Sequence, residues 1–368
     1  MLHYQEQDGL KYYFEQRYEK RDRIEKEACE TAEFLEFPTN SIDLVEKYVN
    51  VERVLNNDWH KDAVLGAAVS GDGLLTDHGV GHINDVMTHA AMIIGKNIKK
   101  LYGYEIYLLL LAIHFHDLGN IKGRENHEEK IIEIMEEMGN ELPLDIVEKQ
   151  FVIAIATAHG GYVNGDKDTI YHINTDDSCN GVRVRSRLLA AILRFADELS
   201  DDFSRSNYKG IPIPDENKVY HEYSKCLEPV RIEEETISFH YRVPYEFTQN
   251  KIGKGKKEVY LYDEILERLA KTMRELEYCR MYASGFIKIT TLNVTIDILE
   301  NNKSFKIKEK ICFRLRIKGY PNKDEKKITS YMDYSSTEDA WRDEKKEMKY
   351  QNGLVLKKAM KEVGKGVK

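Results

Sequence analysis

Cysteine is sparse in this sequence and shows no pairing pattern. Cys29, Cys179, Cys226, Cys279 and Cys312 are odd in number and widely scattered, with no C-x-x-C pair. That excludes a disulfide framework and a thiolate zinc ribbon, and it suggests a reducing, cytoplasmic setting. Long apolar runs are also missing. The longest, Ile106 to Phe115, is interrupted by His114 and falls well short of the roughly twenty residues that span a bilayer. It reads as a buried core helix, and no membrane partner is expected. No basic stretch leads into an apolar one near the N-terminus, so no secretory signal is expected. Internal repeats and low-complexity linkers are absent.

What is present is a folded composition, 42% hydrophobic and 32% charged over 368 residues. That length exceeds one compact core and suits a large helical domain with appended modules. Charge is uneven. Residues 301–368 carry 19 Lys and Arg against 10 Asp and Glu, a net of +9; the whole chain carries −8, leaving −17 on the first 300 residues. An acidic body repels long polyanions, whereas a basic tail attracts phosphate-rich partners or is simply a solvated surface.

The patterning predicts a mainly α protein. Residues 1–60 form an N-terminal helical segment, its first stretch running KYYFEQRYEKRDRIEKEACETAEFLEF up to Pro38, with a further helix to about Trp59. Residues 61–283 form the main helical domain, with a strand-rich insertion at about 208–260, where Pro212 and Pro214 break helix and RIEEETISFHYRV alternates as a strand pair. A helix is expected over Leu261 to Ala283. Residues 284–368 form a basic α+β module, opening with two alternating, β-branched strands around Glu300-Asn301-Asn302.

Desolvating His or Asp on the apolar face of a helix costs several kcal/mol unless the group is paired or metal-bound. Here that placement recurs on five helices. His82 opens a stripe continued by Val86, His89, Ala90 and Ile93. His116 and Asp117 end the most apolar helix, and His127 begins one continued by Ile131, Ile134, Met135 and Met138. His159 closes FVIAIATAH, and Asp197 lies in line with Ala190 and Leu193. One such histidine is ordinarily a hydrogen-bonded core residue. Four of them with two aspartates are hard to satisfy among themselves, and divalent metal resolves the problem.

The ordered set H…HD…H…H…D, with separations of 34, 10, 32 and 38 residues, resembles the two-metal branch of the HD-domain superfamily. HINDVMTHA resembles its first metal-binding histidine, HFHDLGN its His-Asp doublet, NHEEKIIEIM and AIATAHGG its two additional histidines, and LRFADELSDD its closing aspartate. The resemblance covers about residues 70 to 205 and implies an HD-type helical bundle. It implies that His82, His116, Asp117 and Asp197 hold one metal and that Asp117, His127 and His159 hold the second, with Asp117 bridging. The implied activity is metal-dependent hydrolysis of a phosphoester or phosphoanhydride by a metal-bridging hydroxide. His and carboxylate donors without thiolates suit two divalent Mn, Fe, Co, Ni or Zn ions better than calcium.

Substrate contacts are less sharply marked. His78, four residues before His82, is assigned as a phosphate contact or proton donor, against a capping histidine at a Gly-broken helix start. Asn120 stands where many relatives carry lysine, so Lys122 or Arg124 is assigned as the phosphate-clamping cation, against exposed loop charges. Arg183, Arg185 and Arg187 alternate ahead of the Asp197 helix; Arg187 is assigned as a bidentate phosphate ligand, the others to a solvated rim. Gly160 and Gly161 read as a helix C-cap. The expected partner is a small phosphorylated substrate of nucleotide type. Nucleic acid is less favoured, since no basic-aromatic groove accompanies the motifs, and self-association is left open. Two other classes stay in view: a mixed-valent di-iron oxygenase using the same ligands, and a sensor or binding protein whose C-terminal module docks a partner or nucleic acid.

Overall fold

A computed structural model describes residues 9–21, 35–39, 43–60, 79–123, 125–201, 213–301, 306–319, 327–333 and 350–363. They fall into two compact units: one from Met1–Asp72, His78–Ser200 and Cys279–Ile287, the other from Gly73–Asp77, Asp201–Tyr278 and Lys288–Lys368.

The first unit is helical and is built around one predominantly apolar element. That helix, α4 (Gly103–Phe115), buries all thirteen of its residues, as a sequence hydrophobic on every side must. Around it lie α1 (Leu10–Glu19), α2 (Leu44–Val54), α3 (Val80–Ile94), α5 (His127–Met138), α6 (Ile146–Thr157) and α7 (Ser186–Leu199). Among these, α1, α2, α3, α6 and α7 pack directly on α4, α3 also packs on α7, and α5 packs on α6. The N-terminal segment therefore belongs to this unit. Glu36 accepts a hydrogen bond from Gly103 N at 2.7 Å and caps the start of α4. The expected continuation of the first helix towards Pro38 lies largely outside the described residues.

Helix starts are chemically marked. Asp43 accepts from Val45 N and Glu46 N at α2, and Asp145 and Glu148 form a reciprocal capping box at α6. In this unit the sequence reading missed a short hairpin, β1 (Asp177–Cys179) with β2 (Val182–Val184), turned by Asn180 and Gly181 at φ 50° and 82°.

The second unit holds α8 (Lys218–Cys226), β3 (Arg231–Glu233), β4 (Thr236–Pro244), α9 (Glu246–Gln249), β5 (Ile252–Lys254), β6 (Lys257–Val259), most of α10 (Leu261–Ala283), β7 (Thr291–Leu299), β8 (Ile307–Arg316) and α11 (Gly353–Val363). The predicted strand pair and the predicted Leu261–Ala283 helix are present; α8 was not anticipated. The insertion and the C-terminal strands, read separately from the sequence, share one four-stranded sheet of order β3-β4-β7-β8. β4 and β7 run parallel, and the connection between them carries α10, as parallel neighbours require a crossover. Alternate residues such as Ile237, Tyr241, Leu292, Ile296, Ile311 and Leu315 are buried on one face. The other face is polar.

Candidate metal centre

Five elements of the helical unit deliver the six side chains. His82 lies in the first turn of α3, His116 caps the C-terminus of α4, and Asp117 follows it. His127 is the first residue of α5, after Asn126 in the left-handed region at φ 50°. His159 sits in the turn just past α6, and Asp197 in the last turn of α7. Sequence periodicity placed each of them inward, and the structure brings all six to one locality, where they form two groups sharing Asp117.

The geometry divides at that shared carboxylate. Asp117 Oδ2 lies 3.4 Å from both His82 Nε2 and His116 Nε2. Asp117 Oδ1 faces the other way, 3.2 Å from His127 Nε2 and 3.8 Å from His159 Nε2. Asp197 Oδ1 completes the first group, 3.2 Å from His82 Nε2 and 3.6 Å from His116 Nε2. Donors about 2.0–2.1 Å from one metal lie roughly 3.0–3.4 Å from each other around a tetrahedral or octahedral centre. Four of the six separations fall in that window and the other two, at 3.6 and 3.8 Å, lie just beyond it, so the donor set is close to cation spacing as well as suited in chemistry.

Three of the imidazoles are held from behind. His116 Nδ1 donates to the Ile113 carbonyl at 2.7 Å, His159 Nδ1 to the Ala156 carbonyl at 2.6 Å, and His127 Nδ1 lies 3.3 Å from Glu128 Oε2. Each bond fixes the tautomer that turns a bare Nε2 inward, as metal-ligating histidines require. Asn120, the departure from the family's usual lysine, donates from Nδ2 to Asp117 Oδ1 at 3.2 Å and steadies the shared carboxylate. Glu128 was not recognised from sequence, because nothing in its spacing distinguishes it from a surface residue, and Asn120 was marked only as the place of a missing lysine, not as a partner of Asp117.

The electrostatics call for positive charge at the same point. Burial alone would push the His116 imidazole down, but the Asp117 and Asp197 carboxylates drive it up to about 9. Burial, then the neighbouring His116 and His127, push His159 down to about 4. Asp197 is held well below the usual carboxylate range, against burial, by hydrogen bonds with His116 and His82.

The residues expected as substrate contacts have partners of their own where they are described. Lys122 Nζ is taken up by Glu133 and Glu137 of α5, at 2.7 and 2.5 Å. Arg187 donates to the carbonyls of Ile173 and Tyr171 at 2.8 and 2.7 Å and stacks over the Tyr171 ring. Arg183 pairs with Asp176, and Arg185 with Glu105. His78 and Arg124 lie outside the described residues. Gly160 and Gly161 are not the helix cap, which is Ala158. They make room for a carboxylate, since a β-carbon on Gly160 would fall 2.7 Å from Glu128 Oε1. An unanticipated buried cation, Arg194, donates to Thr169 Oγ1 at 3.1 Å; Thr169 in turn donates to the Ala158 carbonyl at 2.8 Å, so α7 is tied to the loop carrying His159.

A helical bundle whose His-Asp doublet joins two further groups of ligand-type side chains defines an HD-domain protein. A family model described as HD-CE matches residues 73–271, more than half of the chain, and the chain belongs to that family. No curated protein and no solved structure matches it. The match takes in the strand-rich insertion and ends before β7 and β8. HD-domain membership together with the His/Asp cluster points to a metal-dependent hydrolase.

Proposed function

We propose that the chain hydrolyses a phosphoester or phosphoanhydride bond of a small, nucleotide-type substrate with the help of two divalent transition-metal ions. The observation that carries this reading is the division of labour at Asp117, whose two oxygens face two separate sets of histidines. His82, His116, Asp117 and Asp197 would hold one ion, and Asp117, His127 and His159 the other. When bound, such a pair supplies Lewis acidity, lowers the pKa of water and offsets charge on the entering and leaving oxygens.

The chain's own residues do the rest. Asn120 and Glu128 keep Asp117 and His127 in register, and the Ile113 and Ala156 carbonyls keep the protons of His116 and His159 on the outward nitrogens. The assigned substrate contacts are His78, Lys122, Arg124 and Arg187; of these, Lys122 would have to leave Glu133 and Glu137, and Arg187 the Ile173 and Tyr171 carbonyls, to reach a phosphate. The acidic first 300 residues favour a compact nucleotide over a long polyanion. The test is a panel of nucleotides, cyclic dinucleotides and single-stranded nucleic acids, offered to protein loaded with Mn or Fe. Turnover of a nucleotide that is indifferent to oxygen and lost in His116→Ala and Asp117→Ala supports the reading. A fully metallated protein that leaves the whole panel intact contradicts it.

A further inference from the structure

The polar face of the four-stranded sheet carries a hollow of about 480 Å³, and its chemistry is laid out in register across the strands. One rung runs Arg231, Ser238, Asn293, Arg314 from β3 to β8. The next places His240, Thr295 and Cys312 side by side, and a third Arg242, Asp297 and Lys310. The central floor of hydroxyl, amide and thiol groups is half-buried, while Arg231 and Lys310 are exposed at its margins.

The floor is fixed by its own bonds. His240 is clamped between two carboxylates, Nδ1 to Glu228 Oε2 and Nε2 to the buried Asp297 Oδ2, both at 2.8 Å. Arg242 also binds Glu228, at 2.7 Å. Those acids are thereby engaged by residues of the same face, with Lys310 Nζ also 3.9 Å from Asp297 Oδ1. Arg314 is tied to the floor through Nε, which donates to Asn293 Oδ1 at 2.8 Å; Arg231 makes no ion pair among the described residues. Two guanidinium groups thus flank a hydrogen-bonding floor from the two edge strands, about 14 Å apart at the main chain for three strand spacings. That is the arrangement in which planar forks grip a small oxyanion from both sides. Phe239 and Phe313 also border the hollow, but both rings are buried.

We propose that this hollow binds a small ligand bearing a phosphoryl group, gripped by Arg231 and Arg314 over Ser238 and Asn293. The site uses none of the six His and Asp side chains of the metal centre and extends beyond the family match, since Asn293 and Arg314 belong to β7 and β8. The test is calorimetric titration of chelator-treated, full-length protein with inorganic pyrophosphate. Saturable binding is expected, with an affinity loss of about tenfold or more in Arg231→Gln and again in Arg314→Gln, while Lys256→Gln leaves it unchanged. Acetate at equal ionic strength should not bind. The proposal is overturned if the wild type shows no binding, if both arginine variants bind as well as the wild type, if Lys256→Gln weakens binding equally, or if a single-stranded oligonucleotide binds more tightly than pyrophosphate.

Discussion

Gly119 lies so close to the main chain of His127 that a β-carbon on it would fall 1.8 Å from the His127 carbonyl oxygen. The loop after the His-Asp doublet and the first residue of α5 are thus in backbone contact, and Lys130 strengthens the join by donating to the Lys122 and Gly123 carbonyls at 3.0 Å. This contact holds His127 against Asp117. Gly119→Ala should separate them, destabilise the fold by about 1–3 kcal/mol as overpacking does, and deplete metal at the His127–His159 group. Thermal unfolding together with metal stoichiometry checks both effects.

Glu128 should matter for metal and little for folding. Its carboxylate sits behind His127 Nδ1, where such partners tune ligand basicity and orientation. Glu128→Ala is expected to weaken metal binding about 10–100-fold with little change in Tm, and Glu128→Gln, which keeps an acceptor oxygen, less. Competition against a chelator of known affinity measures the difference.

The buried pair Lys47–Glu148 sits away from that chemistry and tests the architecture. Glu148 also caps α6 and accepts from Tyr104 Oη at 3.1 Å. Burial raises its pKa even with the lysine present. Lys47→Met leaves an uncompensated buried carboxylate and should cost about 3–5 kcal/mol. The variant's Glu148 binds a proton more readily when folded than when unfolded, so the deficit should shrink as pH falls from 7.5 to 5. Urea denaturation at the two pH values reads this directly.

His60 and His114 stack inside the helical unit, 5.6 Å between ring centres, and His114 meets Tyr48 Oη at 3.1 Å. Burial first, then the charge of His116 and His82, pushes His60 down to about 4 from 6.5. A base whose folded pKa is depressed binds fewer protons in the folded state, so its stabilising contribution is complete above pH 6.5 and declines as pH falls towards 4. For His60 the loss amounts to about 3 kcal/mol. Stability measured between pH 7 and 4 should fall more steeply in the wild type than in His60→Asn; parallel curves would contradict the assignment.

The helical half and the placement of its six polar side chains were legible because one rule, the 3.6-residue stripe, exposes any His or Asp that breaks it. The α10 boundaries were equally plain. The β1–β2 hairpin was missed although Asn180-Gly181 is a strong turn signal, because its flanking strands are only three residues each. The shared sheet was not legible either, since parallel pairing of Thr236–Pro244 with Thr291–Leu299 leaves no local trace. The fates of Lys122 and Arg187 depended on which acids and carbonyls the fold placed opposite them, and spacing alone does not encode that.

The central claim is that Asp117 joins two metal sites. Elemental analysis of protein purified without chelator, wild type beside Asp117→Asn, tests it most directly. The account predicts about two transition-metal ions per wild-type chain and a loss of more than half of them in the variant. Wild-type protein free of metal, or a variant that holds as much as the wild type, would contradict it.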